Sequence, residues 1–391
     1  MKNQILPILS LLILIGLGSC KKDKDEQADK PQVENEYTQS LREDYTESEY
    51  RWGFINKKGK LVIRPAYDEC KNFKNGFAVV RILDKWGFIN PKGKLAIPAQ
   101  YQEVYNFSEG KAAVRPYGMG YHFISTDGST VSGTDYNQVR AYAEGRAAVQ
   151  KGDNWTYLNE QGEEIDIPAF SSAYSFENGL AKVKQKGKFG LIDKELNWIV
   201  PAQFNKIGSL SDELILVKKE DQQWYIDRTG KKVLQTAFDK QYNFVKGFAP
   251  YKQDGKMGII DQAGKVIIDA VYEDIQVLEE GIFQVYNEGK FGLLNAESTE
   301  LIPLEMEQML PFSEGKTACM KNELWAIYDI NGKRLSEFEY GLAWNYKEGM
   351  ARVATFGGIG FIDKSGKMVI QPGFADVNDF SEGMARVQIY E

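Results

Sequence analysis

A pattern of about 34 residues recurs along this chain and limits its fold more than any other feature of the sequence. The stretch WGFINKKGK at Trp52 returns as WGFINPKGK at Trp86 and as IGFIDKSGK at Ile359. The ten copies begin at residues 52, 86, 121, 155, 189, 223, 257, 291, 325 and 359, so eight of the nine steps are 34 residues long and one is 35. Internal repetition at a fixed period predicts an array of similar supersecondary units.

A second landmark keeps the same register and helps to identify the secondary structure. Glycine ends motifs such as FSEG in nine of the ten copies, and Glu213 takes its place in the remaining one. A helical repeat of this length needs two amphipathic helices, but here glycine or a turn interrupts the pattern every eight to ten residues. The runs between these breaks, such as LVI and KVII, are short and β-branched, as is typical of strands.

Each copy divides into four short antiparallel strands. The first, WGFIN in the first copy, ends in Asn, Asp or Ser, whose short side chain favours a turn. Eight copies finish that turn with a glycine, which predicts positive φ at this position. KLVI, YDECKNF and FAVVRIL supply the other three strands. Units four and six carry Thr156 and Trp224 in the glycine position of the WG pair, so we expect irregular hairpins there.

The two ends of the repeat region complement each other. The first copy starts at RWGF without a preceding strand, and the last ends in the strand GMARVQIY, with no WGF after it. Pairing of this last strand with residues 52–56 removes an exposed edge. We therefore predict an all-β fold of ten tandem four-stranded antiparallel units in a propeller-like ring or spiral, with an open β-solenoid as the alternative.

The combination of KWGFIN, GKLVI, AYDE, NF and NGFAVV resembles the pattern of WG-repeat proteins, and the resemblance covers residues 52–391. It implies a β-repeat module of the kind common in bacterial lipoproteins and extracellular proteins, with no general activity assigned to the repeat.

The N-terminal segment predicts export. Lys2 precedes an aliphatic run, residues 5–17, which is too short to span a membrane. The following LGSC resembles the lipobox of bacterial lipoproteins, with Leu17, Gly18 and Ser19 before a lipidated Cys20; an ordinary cleaved signal with a chance cysteine is the alternative.

Three segments follow from this interpretation. They are a signal peptide at residues 1–19, a lipidated cysteine with a disordered charged tether at residues 20–45, and the WG-repeat β domain at residues 46–391. The expected location is the cell envelope, where the lipid anchors the protein to the outer membrane with a periplasmic or surface-exposed face.

Charge and residue content argue against several classes of function. The net charge is −7 and no basic patch is visible, so we expect no nucleic-acid partner. His122 is the single histidine, and Cys70 and Cys319 occupy apolar positions of the repeat, which favours core packing over a disulfide. We expect no metal, no cofactor and no catalytic residues, although a glycan-processing enzyme on a propeller-like scaffold stays an alternative.

Two repeat positions rich in aromatics receive different interpretations. The position of Trp52 accepts Trp, Tyr, Phe, Met, Ile or Gln, and this tolerance predicts packing. One position in the third strand varies more widely, and variation on a repeated frame predicts a ligand surface. Its candidate binding residues are Tyr105, Arg140, Tyr174, Tyr242 and Trp344. We expect a non-catalytic module that binds a protein, peptide or polysaccharide; a purely mechanical spacer is a further alternative.

Overall fold

The computed structural model describes residues 50–390 except Thr134. Within these residues there is no helix, and 37 short strands form ten small antiparallel sheets arranged as the blades of a β-propeller. The predicted all-β fold of ten units is therefore confirmed.

The blades are numbered so that blade 1 holds both ends of the described chain, and the strands of each blade are called A to D in hydrogen-bonding order. Blade 1 contains β36 (Asp376–Val377), β37 (Met384–Tyr390), β1 (Tyr50–Asn56) and β2 (Leu61–Tyr67). Blade 2 contains β3 (Glu69–Cys70), β4 (Ala78–Ile82), β5 (Lys85–Ile89) and β6 (Leu95–Tyr101), and blade 3 contains β7 (Glu103–Val104), β8 (Lys111–Arg115) and β9 (His122–Ser125). Blade 4 contains β10 (Gln138–Val139), β11 (Ala147–Lys151) and β12 (Asn154–Leu158), and blade 5 contains β13 (Ser172–Ala173), β14 (Leu180–Gln185), β15 (Lys188–Asp193) and β16 (Trp198–Phe204).

Blades 6 to 10 complete the ring. Blade 6 contains β17 (Lys206–Ile207), β18 (Ile215–Lys219), β19 (Gln222–Ile226) and β20 (Lys232–Leu234), and blade 7 contains β21 (Lys240–Gln241), β22 (Phe248–Gln253), β23 (Lys256–Asp261) and β24 (Val266–Tyr272). Blade 8 contains β25 (Asp274–Glu279), β26 (Ile282–Asn287), β27 (Lys290–Asn295) and β28 (Glu300–Met306), and blade 9 contains β29 (Gln308–Met309), β30 (Lys316–Lys321) and β31 (Leu324–Asp329). Blade 10 contains β32 (Leu342–Ala343), β33 (Met350–Thr355), β34 (Gly358–Asp363) and β35 (Met368–Phe374).

The ring closes through one strand pair. Strand β37 pairs with β1 over seven residue pairs, from Tyr50–Tyr390 to Asn56–Met384, and Phe54 lies opposite Arg386. The predicted closure is confirmed, and the open solenoid is wrong. Each sequence unit supplies strands C and D of one blade and strands A and B of the next, so the repeat and the blade are offset by two strands.

The C–D turns form as predicted. The Asn56 side-chain oxygen accepts hydrogen bonds from the backbone N–H groups of Lys58 and Lys60, at 2.9 and 3.1 Å, and Gly59 has φ of 75°. The two units without this glycine place Leu196 and Ser298 there, and these residues also adopt positive φ, 67° and 62°. The turn geometry is therefore kept even where the residue type is unfavourable.

The glycine of the WG pair lets strand D cross close to strand C. A Cβ built on Gly87 would lie 2.7 Å from the Ile97 carbonyl oxygen and 2.7 Å from the Ala99 nitrogen, both backbone atoms. All six blades with this glycine have a seven-residue strand D. The other four carry His122, Thr156, Trp224 or Ala326; in blades 3, 4 and 9 strand D shrinks to isolated bridges, and in blade 6 it has three residues. Irregular hairpins in units four and six are confirmed, and units three and nine share the feature.

The core lies between neighbouring blades. Val79 and Phe88 of blade 2, for example, pack against Phe107 and Val114 of blade 3. Cys70 and Cys319 are buried and unpaired, as predicted, and burial raises the pKa of the Cys70 thiol to about 12 and that of Cys319 further.

The position of Trp52 packs in the core in some blades only. Tyr121, Trp155, Met257 and Trp325 are buried there, whereas the others are half-buried. The predicted packing role is thus confirmed in part.

The A–B turns are connected around the ring by side-chain hydrogen bonds. Glu348 accepts from the backbone N–H of Gly383 at 2.8 Å and pairs with Lys57 at 3.3 Å, and Glu382 in turn accepts from the N–H of Gly76 at 2.9 Å. Similar bonds join the carboxylates of Glu109, Glu144, Asp212 and Glu314 to the N–H groups of Gly145, Gly179, Gly247 and Gly349. These bonds satisfy turn N–H groups that lie outside the sheet ladders.

Three of these carboxylates have shifted pKa values. Partial burial raises the pKa of Glu144, Glu314 and Glu348, but hydrogen bonds from a lysine and from the turn N–H groups outweigh this effect. The resulting pKa values lie below the ordinary glutamate value. Each ionised carboxylate therefore favours the folded protein.

Replacing Gly87 with alanine should disturb blade 2 locally. We expect a loss of about 1–3 kcal/mol in the free energy of unfolding, because the new methyl group meets backbone atoms that cannot move aside cheaply. Hydrogen exchange should show faster exchange in β6. Ala326→Gly, at the same position in a blade without a regular strand D, is the control and should leave exchange in blade 9 unchanged. Unaltered protection of β6 in Gly87→Ala would contradict the role of the glycine.

The lowered pKa values predict an acid-sensitive component of stability. It is fully present above the unfolded-state pKa, about 4.3, and is lost as pH falls through the folded-state values. A variant with Gln at residues 144, 314 and 348 should be less stable than the wild type at neutral pH, and the difference should shrink as the pH falls below about 4. Thermal denaturation across pH measures this, with Glu195→Gln, an exposed acid, as control. Parallel curves for the triple variant and the wild type would refute the prediction.

Candidate ligand-binding surface

The predicted binding residues follow strand A in their blades. Tyr105 comes directly after β7, Arg140 after β10, and Tyr242 after β21. Strand A begins, and strand D ends, at the side of the ring that carries the B–C turns, and we call this side the B–C face. The five candidates belong to blades 3, 4, 5, 7 and 10, so the structure spreads them around the ring, and only Arg140 and Tyr174 lie in contact.

Tyr105 is exposed on the B–C face. Its side chain is 44% exposed and its ring packs edge-on against Tyr121, with centroids 5.9 Å apart. The B–C turn of the same blade adds Tyr117 and Met119, which are also exposed. The Tyr117 hydroxyl donates to the carbonyl of Asp84 in the neighbouring blade, at 2.7 Å, which fixes this turn.

Arg140 lies at the seam between blades 4 and 5. Its guanidinium is 5.2 Å from the Trp155 ring centre and 4.5 Å from that of Tyr174, and its Nε donates to the carbonyl of Ala173 at 2.7 Å. The Lys182 ammonium also lies 5.5 Å from the centre of the Tyr174 ring. These contacts give Arg140 and Tyr174 a role in joining two blades, in addition to any contact with a ligand.

Sequence reasoning missed a group of polar side chains that join blades in the same way. Arg386 donates to the carbonyl of Cys70, and Arg352 donates to that of Val377 at 2.8 Å. Lys182 and Gln284 do the same for Gly208 and Met309. The signal in the sequence is a long polar residue directly before the valine of strand B, whereas Arg140 performs this task from the position after strand A.

Trp344 lies on blade 10 beneath a cation. The Arg352 guanidinium is 4.6 Å from its ring centre, and the tryptophan is half-buried. Next to it on the B–C face, Leu342 is 53% exposed, and Phe356 in the B–C turn is fully exposed. Blade 10 therefore exposes two large apolar side chains besides this candidate.

Tyr242 lines a cavity between blades 6 and 7. The cavity has a volume of about 160 Å³, and Gly208 and Gln223 of blade 6 form the opposite wall. The Lys240 ammonium lies 4.6 Å from the centre of the Tyr242 ring. Tyr242 is therefore a candidate that lies beside a partly open cavity.

Among the described residues, no aspartate or glutamate is buried, and no cluster of three His, Cys, Asp or Glu side chains is placed to hold a metal ion. His122 is buried with its Nδ1 unpaired; burial lowers its pKa, an effect that the Asp135 carboxylate opposes.

The predicted lipobox residues Leu17, Gly18 and Ser19, together with Cys20, lie outside the described residues. In the part of the chain that is described, no helix has the length and apolar character needed to cross a membrane.

The closed ring of similar four-stranded blades, with variable side chains on one face, defines a repeat β-propeller. The sequence matches the family model described as WG containing repeat in nine segments, and these segments cover most of the chain. They are residues 52–86, 86–115, 123–155, 155–189, 189–222, 225–256, 257–291, 325–355 and 359–391. The chain belongs to this family.

Similarity to other proteins is remote. No curated protein gives a significant sequence match. Among solved structures, a eukaryotic initiation factor is 11% identical with a TM-score of 0.46, covering 74% of this chain and 95% of that one. The designed protein Ika8 is 12% identical with a TM-score of 0.30, covering 76% and 93%. PorZ, a surface component of the type-IX secretion system of Porphyromonas gingivalis, is 10% identical with a TM-score of 0.27, covering 81% and 55%.

Proposed function

We propose that the protein is a non-catalytic interaction module whose B–C face binds a protein, a peptide or a polysaccharide. The observation that carries this proposal is the uneven distribution of exposed large apolar side chains over the surface. Eight of the fourteen exposed large apolar side chains lie on or beside the B–C face: Tyr50, Tyr105, Tyr117, Met119, Val271, Leu324, Leu342 and Phe356. Five of the other six are valines.

Aromatic and long apolar side chains are the residues that contribute most at interfaces, because they bury much area and lose little conformational freedom. Valines on strands and turns elsewhere are ordinary surface residues of β-sheets. The difference in composition favours the B–C face as the place where a partner docks.

The alternative, a glycan-processing enzyme, requires a pair of carboxyl groups held in a cleft, one of them with a raised pKa. Within the described residues no carboxylate is buried, and every resolved shift of an acid lowers its pKa. The binding module is therefore the better-supported function.

The proposal includes a lipid anchor in the cell envelope. Its support is the sequence LGSC after an aliphatic run, followed by a charged segment that lacks core-forming residues. Several acyl chains on Cys20 suffice to hold a protein on a bilayer, since each buried methylene contributes about 0.8 kcal/mol. A tether of about 25 residues reaches roughly 25–30 Å.

Replacing Cys20 with serine tests the anchor. The wild type should sediment with membranes and incorporate a fatty-acid label, and Cys20→Ser should do neither. Cys70→Ser, at a buried cysteine, is the control and should retain the label. Equal labelling of wild type and Cys20→Ser would exclude lipidation at this residue.

Partner capture tests the binding face. The immobilised protein should retain an envelope component that Tyr105→Ser and Phe356→Ser together reduce at least about tenfold, because apolar anchor residues contribute about 2 kcal/mol each. Val233→Ser, at an exposed valine of β20, is the control and should not reduce capture. Mass spectrometry and glycan analysis identify what is bound. If the face variant captures as much as the control, the B–C face is not the docking surface.

A further inference from the structure

The cavity between blades 6 and 7 exists because two positions that are filled in other blades are not filled here. After strand A, blade 6 has Gly208, whereas blades 3, 5 and 7 have a tyrosine. The position of Trp52 holds Gln223, the single residue of the ten that is not a large apolar side chain. Both residues line the cavity. Blade 6 therefore lacks the ring pair that the same two positions form in blades 3 and 5, Tyr105 with Tyr121 and Tyr174 with Phe189.

The same seam carries unbalanced positive charge. In blades 2 and 3, the first residue of strand A is a glutamate that pairs with an arginine directly opposite on strand B: Glu69 with Arg81 at 2.5 Å, and Glu103 with Arg115. In blade 6 the equivalent residues are Lys206 and Lys218, which are cross-strand neighbours.

Lys240 of blade 7 also lines the cavity. Asp239, the acid next to it in sequence, accepts a hydrogen bond from the N–H of Asp254 and does not line the cavity. Among the described residues, none of the three lysines has a carboxylate within ion-pair distance. Three lysines thus line one cavity in a protein whose net charge is −7.

A buried amide completes the wall. Gln241 occupies the second position of strand A, where the other nine blades have Cys, Val, Ala, Ile or Met. The side chain is 5% exposed; its Nε2 donates to the carbonyl of Thr236 at 3.4 Å, and its Oε1 has no partner. An unpartnered buried oxygen destabilises the fold, and a hydroxyl group in the cavity can satisfy it.

We propose that this cavity binds an acidic sugar, with the negative group held by Lys206, Lys218 and Lys240. Hydroxyl groups meet the amides of Gln223, Gln241 and Asn243, and the Tyr242 ring provides a face for the sugar carbons. In other proteins a cavity of about 150 Å³ holds one benzene, so this partly open cavity takes part of one sugar ring, whose remainder lies outside it, and not a longer segment. The inference deepens the proposed binding function by naming a ligand class and a site.

Titration calorimetry on the full chain in mild detergent tests the site with glucuronate, glucose 6-phosphate, glucose and inorganic phosphate. We expect binding of the two acidic sugars, none of glucose, and weaker binding at high salt, because the attraction is electrostatic and partly screened. Binding of glucose as tight as that of glucuronate, or binding of inorganic phosphate as tight as that of glucose 6-phosphate, would overturn the assignment to an acidic sugar. So would the absence of binding by all four.

Two variants locate the site. Lys206→Glu recreates the Glu–cation pair of blades 2 and 3, so it should fold normally and weaken glucuronate binding at least about tenfold, since a charged hydrogen bond contributes about 1.5–3 kcal/mol. Gln223→Trp introduces the residue that four other blades carry at this position, and it should block the cavity. Lys265→Glu, on the opposite side of blade 7, is the charge-matched control and should bind normally. Unchanged binding in Lys206→Glu would place the ligand elsewhere.

The outcome is separable from the proposed docking function. If the acidic sugars do not bind but the B–C face still captures an envelope component, the inference fails and the proposed function stands. If glucuronate binds in the manner described while no component is captured, the site stands and the docking function fails.

Discussion

Each blade needs a neighbouring blade on both of its faces, and this requirement explains why the ring is closed. A four-stranded sheet of short strands has two apolar faces, and a blade at the end of an open row leaves one face in water. The pairing of β37 with β1 removes this problem, because it completes blade 1 from the two ends of the described chain. Phe54 then packs with Cys70 and Phe73 on one side, while Ile55 packs with Phe361 and Phe380 on the other. Closure therefore gives every described blade a neighbour on both faces, and only the short outer and inner edges of the blades stay unpaired.

Inside a closed ring, the backbone sets stricter limits than the side chains do. The glycine of the WG pair is required wherever strand D passes over strand C, and its replacement accompanies a shortened strand D in all four blades that lack it. The aromatic partner in the pair is under less constraint, because a seam between blades accepts Trp52, Met257 or Ile359 with a cation or another apolar group above it. For this reason the glycine is replaced only in blades with a shortened strand D, whereas the neighbouring aromatic position accepts several residue types in any blade.

The sequence was sufficient to predict the units, their strands, the turn glycines and the closing pair, because these depend on local residue types and on a fixed period. It was not sufficient to show which blade a side chain contacts. Arg140 is a surface candidate from its varied position, yet it bridges Trp155 and Tyr174 across a seam, and Arg352 and Arg386 perform the same task from strand B. Such contacts depend on how neighbouring sheets face each other, which the repeat period does not encode.

The repeat also supplies its own reference for judging an unusual seam. The ten blades share one backbone arrangement. The residues at the same position in the other nine blades therefore show which side chains this backbone normally holds. Gln223 and Gln241 replace apolar residues, and Lys206 and Lys218 put like charges opposite each other, as Lys240 and Lys252 do in blade 7. Each of these features lowers stability by itself, through lost packing, an unpaired amide oxygen or like charges opposite each other. Their meeting at one cavity is the pattern that the proposed acidic ligand would balance.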